Sequence, residues 1–164
     1  MKIPVIINGT KVVLSADPSE KLLNVLRREK FYSVKCGCEE GMCGNCTVLL
    51  DGKPVPSCIC YMATVRDSTI ETLEYIKQNP IYQDIITGFN QANLHLCGYC
   101  NSGKILIAYQ ILNEYYRPDV SIIKDAIKTL SPCCTDKDSL VNGILYAIAA
   151  KHKREGKNQN GKKK

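Results

Sequence analysis

The stretch "KCGCEEGMCGNC", residues 35–46, places four cysteines in twelve positions and constrains this chain more than any other feature. With the next cysteine downstream it continues as Cys38-x4-Cys43-x2-Cys46-x11-Cys58. Thiols this close in sequence are bridged, hold a metal, or are kept apart by the fold, and the cellular compartment decides among these. No run of about eighteen apolar residues is present, and the opening "MKIPVIINGTKVVLS" turns polar at Asn8 before an export segment would be complete. The expectation is a cytoplasmic chain that neither enters a membrane nor is exported. In a reducing cytosol clustered thiols serve as metal ligands or redox centres, so ten cysteines in 164 residues point to ligands rather than disulfides.

C-x4-C-x2-C with a distant fourth cysteine is the ligand spacing of a plant-type [2Fe-2S] cluster. Three thiolates from one loop must converge on an inorganic core, so the backbone has to curl and aim N–H groups at sulfur. Gly37, Gly41 and Gly44 permit that curl, and a turn at Asp51-Gly52 brings Cys58 back to the other three. A four-thiolate zinc site competes, although structural zinc usually takes paired C-x2-C knuckles. Cys36 and Cys60 each lie two residues from a proposed ligand and are expected to be buried spectator thiols.

The second half carries Cys97-Gly98-Tyr99-Cys100 and, after 32 intervening residues, Cys133-Cys134. By spacing alone this set suits zinc about as well as iron and sulfur. Cys100 precedes a helix expected to be capped by Asn101 or Ser102, whose positive end would favour a thiolate-bound anionic centre.

Around these groups the pattern is α+β. Two β-rich runs flank Asn8-Gly9, a second hairpin turns at Asp51-Gly52, and "STIETLEY" is a candidate closing strand. Leu22, Leu23 and Leu26 are helically spaced behind Ser19 as N-cap. From about residue 76 the pattern becomes helical, with four segments starting near Pro80, Asn101, Val120 and Asp138. Ile105, Ala108, Tyr109, Leu112 and Tyr116 form one expected core stripe. The expected division is residues 1–75, residues 76–150 and a basic disordered tail at 151–164. That tail holds seven basic residues and one acid, which accounts for the whole net charge of +6. The remainder is balanced, so no nucleic-acid partner is expected.

Together, "GCEEGMCGNCTVLLDGKPVPSC" and "CGYCNSGKI" resemble the small [2Fe-2S] iron–sulfur subunit of the molybdenum hydroxylases, the xanthine dehydrogenase and aldehyde oxidoreductase family. The resemblance covers nearly the whole chain, and the second stretch is similar to that family's CG(F/Y)CTPGM element. It implies an N-terminal β-grasp ferredoxin-like domain followed by a C-terminal four-helix bundle, each with one [2Fe-2S] cluster. It assigns Cys38, Cys43, Cys46 and Cys58 to the first cluster and Cys97 and Cys100 to the second.

The family's last two ligands come from a C-R-C-T-G-Y element, where this chain has "SPCCTDK". Aligned on Cys-Thr, Cys134 is the last ligand and Pro132 stands where a thiol belongs; aligned by distance from Cys100, Cys134 takes the earlier place and Asp136 the later. Adjacent Cys133 and Cys134 are expected to supply both ligands, with altered ligation as the alternative. Leu96 stands where the family has a glutamine that contacts the pterin, and leucine cannot make that hydrogen bond. His95 beside it is expected to be an ordinary surface or packing residue.

The implied function is an electron relay between a molybdopterin-binding large subunit and an FAD-binding medium subunit, with substrate chemistry on the partners. No dinucleotide-binding fingerprint, P-loop or nucleophile–base motif places catalysis on this chain. A free-standing two-cluster carrier and a one-cluster protein with a zinc-stapled C-terminal half are the alternatives.

Overall fold

In the computed structural model, which describes residues 1–130 and 134–161 with side chains to residue 156, two tight turns organise the sheet. β1 (Lys2–Ile7) and β2 (Thr10–Ser15) pair antiparallel about Asn8 and Gly9, whose φ values of 50° and 79° are the left-handed pair a two-residue hairpin needs. β3 (Thr47–Leu50) and β4 (Lys53–Pro56) repeat the arrangement at Asp51 and Gly52. β5 (Thr69–Glu71) joins the hairpins, parallel to β1 and antiparallel to β3, so the sheet runs β2-β1-β5-β3-β4.

α1 (Leu22–Arg28) buries Leu22, Leu23, Val25 and Leu26 against Ile3, Val5 and Ile7 of β1, Val48 of β3 and Ile70 of β5. Alternation along β1 is that of a strand with one face inside. The start of α1 differs from expectation. Its cap is Lys21, while the N–H and hydroxyl of Ser19 both donate to Asp17, closing a local turn that competes with capping.

β3 serves two cores, because successive side chains point to opposite faces: Val48 joins the first and Leu49 the second. The second core is enclosed by α2 (Leu73–Ile76), α3 (Pro80–Gln91), α4 (Asn101–Glu114), α5 (Val120–Ile127) and α6 (Lys137–Gly161). α4 is central, with Ile105, Leu106, Ile107, Ala108, Ile111 and Leu112 all buried. It is therefore apolar most of the way round rather than striped, and Tyr116 lies beyond its end and is exposed. α3 and α6 touch backbone to backbone, since a Cβ on Gly88 would stand 2.2 Å from the Ala147 amide nitrogen.

The basic C-terminal segment also differs from expectation. α6 continues past residue 150 to Gly161, and its first turns beyond that point are anchored. Arg154 reaches the buried Asp84 of α3 at 2.7, 3.0 and 3.1 Å, supplying the counter-charge a buried carboxylate requires. Lys151 donates to the Leu112 carbonyl at 2.5 Å near the end of α4, and His152 stacks on Tyr116 with ring centroids 4.1 Å apart. A count of local charge does not register an acid on another helix. No described helix is long and apolar enough to cross a membrane.

Candidate metal centres

The loop between α1 and β3 curls through left-handed backbone at Glu39 (φ 59°), Gly41 (77°) and Gly44 (77°). The curl turns three amides inward: the N–H groups of Glu40, Met42 and Cys43 donate to Cys38 Sγ at 3.4, 3.3 and 3.3 Å. Cys38 in turn donates its N–H to Cys43 Sγ at 3.4 Å. The Cys43 amide foremost, then those of Glu40 and Met42, lower the Cys38 thiol to about 7, because each stabilises the thiolate. Gly37 is needed for space, as a Cβ there would lie 2.6 Å from Cys43 Sγ.

Cys46 and Cys58 form a second, drier pair. Cys46 immediately precedes β3, and Cys58 sits on the short 3-10 turn Ser57–Ile59 directly after β4, so the Asp51-Gly52 hairpin brings the two together. Buried Ser57 locks the join, donating its N–H and hydroxyl to the Cys46 carbonyl at 3.2 and 2.7 Å. Burial foremost, and the adjacent Cys46 thiol, push Cys58 up to about 12. Cys36 instead donates to Glu39 at 2.8 Å, and Cys60 donates to the Pro56 carbonyl at 3.6 Å. Both spectator candidates are partly buried, and their thiols are engaged with oxygen acceptors.

In the second half, Cys97, Cys100 and Cys134 bring their sulfurs within 4.8 Å of one another. Cys100 stands 3.7 Å from Cys97 and 3.4 Å from Cys134. Cys133, the other expected ligand, lies outside the described residues. Cys100 itself occupies the N-cap of α4, so the helix directs its positive end at the group. Asn101 and Ser102 do not cap it. The Asn101 side chain accepts the Gly98 N–H at 3.0 Å, holding the cysteine loop closed, and Ser102 donates to the Ser33 carbonyl at 2.7 Å.

The three thiols differ in character. Partial burial opposes ionisation of Cys134, yet the Cys97 amide, the Thr135 hydroxyl and the neighbouring thiols bring it down to about 6. The Cys100 amide foremost, then that of Tyr99, lower Cys97. Burial foremost, then the Cys134 contact, push Cys100 up to about 11, with Lys104 pulling the other way.

Lys104 is the residue that motif reading missed. It is only 3% exposed, and its Nζ donates to Cys100 Sγ at 3.2 Å and to Cys134 Sγ at 3.5 Å. The signal was its spacing: four residues after Cys100 on a helix, it shares that cysteine's face.

The two groups are neighbours. Tyr99 donates its hydroxyl to the Cys36 carbonyl, and Lys35 donates to the Gly98 carbonyl across the same seam. Gly103 of α4 presses on Gly44, where a Cβ would meet the Gly44 carbonyl oxygen at 2.7 Å. Leu96 is half-buried against the second core and His95 is exposed, both lining a shallow cavity with Tyr82 and Asn101.

Two domain families match this arrangement: a 2Fe-2S iron-sulfur cluster binding domain over residues 10–94 and a [2Fe-2S] binding domain over residues 69–145. The nicotinate dehydrogenase small FeS subunit of Eubacterium barkeri is 33% identical over 143 residues, 87% of this chain and 91% of that protein. The chain belongs to the small [2Fe-2S] subunits of the molybdenum hydroxylase family. Within that family, the xanthine dehydrogenase iron-sulfur-binding subunit of Escherichia coli O157:H7 is 30% identical over 85% of this chain and 89% of its own length. The crystal structure of quinoline 2-oxidoreductase from Pseudomonas putida 86 contains a chain with a TM-score of 0.78 and 30% identity, covering 93% of this chain and 96% of that one. Homologues of this chain are thus iron–sulfur subunits of oxidoreductases.

Proposed function

We propose that this chain is the electron relay of a molybdenum-hydroxylase-type complex. Cys38, Cys43, Cys46 and Cys58 would hold one [2Fe-2S] cluster, and Cys97, Cys100, Cys133 and Cys134 a second. On this view residues 1–75 form a β-grasp ferredoxin-like domain, residues 76–150 form a four-helix domain, and α6 extends the latter toward the C-terminus. A molybdopterin-binding large subunit supplies electrons and an FAD-binding medium subunit takes them.

The observation that carries this is the direct contact between the two loops that bear the thiol groups, each with amides or a helix end facing sulfur. When bound, the clusters supply one-electron storage. The chain's residues do the rest. The first four thiols fall into two pairs, Cys38 with Cys43 and Cys46 with Cys58, which suits a two-iron core taking two thiolates per iron. Amides at Cys38 neutralise thiolate charge, whereas burial of Cys46 and Cys58 excludes water. The Tyr99–Cys36 and Gly103–Gly44 contacts keep the two loops in register, shortening the distance an electron crosses.

Iron and acid-labile sulfide per chain, with EPR of the reduced protein, test the cluster count. About four of each and two distinct signals are expected; half that amount, or stoichiometric zinc, rejects the second cluster. Serine at Cys133 or at Cys134 should each damage the second signal, and two silent variants reject the adjacent-pair assignment. Co-purification with molybdenum- and flavin-containing subunits separates a fixed subunit from a free carrier.

A further inference from the structure

We infer that the Lys104 ammonium is a built-in counter-charge for the second cluster, favouring its reduced state. This rests on the reading that Cys97, Cys100 and Cys134 hold a [2Fe-2S] centre. A lysine that is 3% exposed is rare, because a buried cation without an anion is costly. Among the described residues no carboxylate forms an ion pair with Lys104, and the atoms it donates to are the Cys100 and Cys134 sulfurs at 3.2 and 3.5 Å. This stretch of α4 is buried throughout. Ser102, Gly103, Ile105, Leu106 and Ile107 around it on α4 are all buried. A negative centre at these sulfurs is what the geometry is built to receive.

The consequence is a sign. One electron turns one ferric iron ferrous, with no bond made or broken, and leaves the cluster one unit more negative. A fixed cation in contact with two of its ligands stabilises the reduced form more than the oxidised form, and low local dielectric strengthens the effect. Among the described residues the first group has no such charge in the hydrogen bonds to its sulfurs: the donors to Cys38 and Cys43 are neutral amides. Lys35, the nearest lysine in sequence, is turned instead to the Gly98 carbonyl and the Tyr99 ring. The bias therefore falls on the second cluster alone, which Lys104 makes the readier electron acceptor than its thiolates alone would.

The test uses the full chain purified anaerobically with its clusters, as wild type, Lys104→Met and Lys104→Gln. Iron and sulfide are counted, and each cluster is titrated with dithionite under EPR, the second signal being the one that Cys100→Ser abolishes. In Lys104→Met the reduced-to-oxidised ratio of the second cluster at fixed potential is expected to fall at least tenfold, a midpoint about 59 mV more negative for one electron. The first cluster should not move. Lys104→Gln, which keeps an N–H donor without the charge, should move the second midpoint in the same direction.

An unchanged second midpoint in a fully loaded variant, or an equal shift of both clusters, overturns the inference. Should Lys104→Met fail to load, Lys104→Gln carries the measurement by the same criteria. Loss of the second cluster from both while Lys104→Arg retains it supports the counter-charge, and loss from all three overturns it in favour of packing. A wild-type chain with iron for one cluster only rejects the second site itself, an outcome distinct from an unmoved midpoint.

Discussion

At the scale of single residues, the thiols of one chain have been given opposite chemistries by their surroundings. Cys38, solvated by three amides, is a thiolate above about pH 7, and Cys134 above about 6, whereas Cys58 stays protonated to about 12. Because the thiolate is the nucleophile, the metal-free chain at pH 7.5 should be alkylated by iodoacetamide at Cys134 and Cys38 well before Cys58. Lowering the pH below 6 should silence Cys134 as its thiolate takes up a proton. Peptide mass spectrometry reads the order, and early labelling of Cys58 would contradict it. Cys43→Ser should remove the first cluster's visible absorbance and lower the stability of the N-terminal sheet, since ligand energy there is also folding energy. An unchanged absorbance spectrum rejects Cys43 as a ligand.

At the scale of elements, the hairpins were legible because their determinants are local. Asn8-Gly9 and Asp51-Gly52 each adopt the left-handed pair that few other dipeptides tolerate, and the strands on either side follow. The helix starts were less legible. Ser19, Asn101 and Ser102 have capping chemistry, yet each spends it on Asp17, Gly98 or Ser33, partners that a spacing rule does not see. α6 shows the same limit at its far end, where Asp84 of α3 gives Arg154 a reason to remain helical. Arg154→Leu should strand that buried carboxylate and destabilise the protein by about 1–3 kcal/mol, the cost of an unsatisfied buried polar group. Thermal unfolding measures it, and restoration by Asp84→Leu in the double variant would assign the loss to the pair.

At the scale of the whole molecule, two cores share one strand and two thiol groups share one seam. Leu49 of β3 belongs to the helical core while Val48 beside it belongs to the sheet core, so disturbance of either half reaches the other. Removing iron with a chelator should therefore lower the unfolding temperature of the whole chain, with the 36–46 loop most exposed to proteolysis and the helical far-ultraviolet signal largely kept. Digestion that begins within α3 or α6 instead would show that the metal supports the helices more than the loop.

What the sequence by itself determined is whatever depends on neighbours a few positions apart: which cysteines lie close along the chain, where the hairpins turn, and that strands dominate first and helices after them. Ligand spacing and turn chemistry are local, so they survive in one dimension. Only the tertiary structure decided that Lys104 is buried against Cys100 and Cys134, that Tyr99 and Gly103 bring the two thiol loops into contact, and that Arg154 closes on Asp84. Each is a meeting of distant segments, and which buried charge finds which partner is set by packing, the one property a linear spacing does not carry.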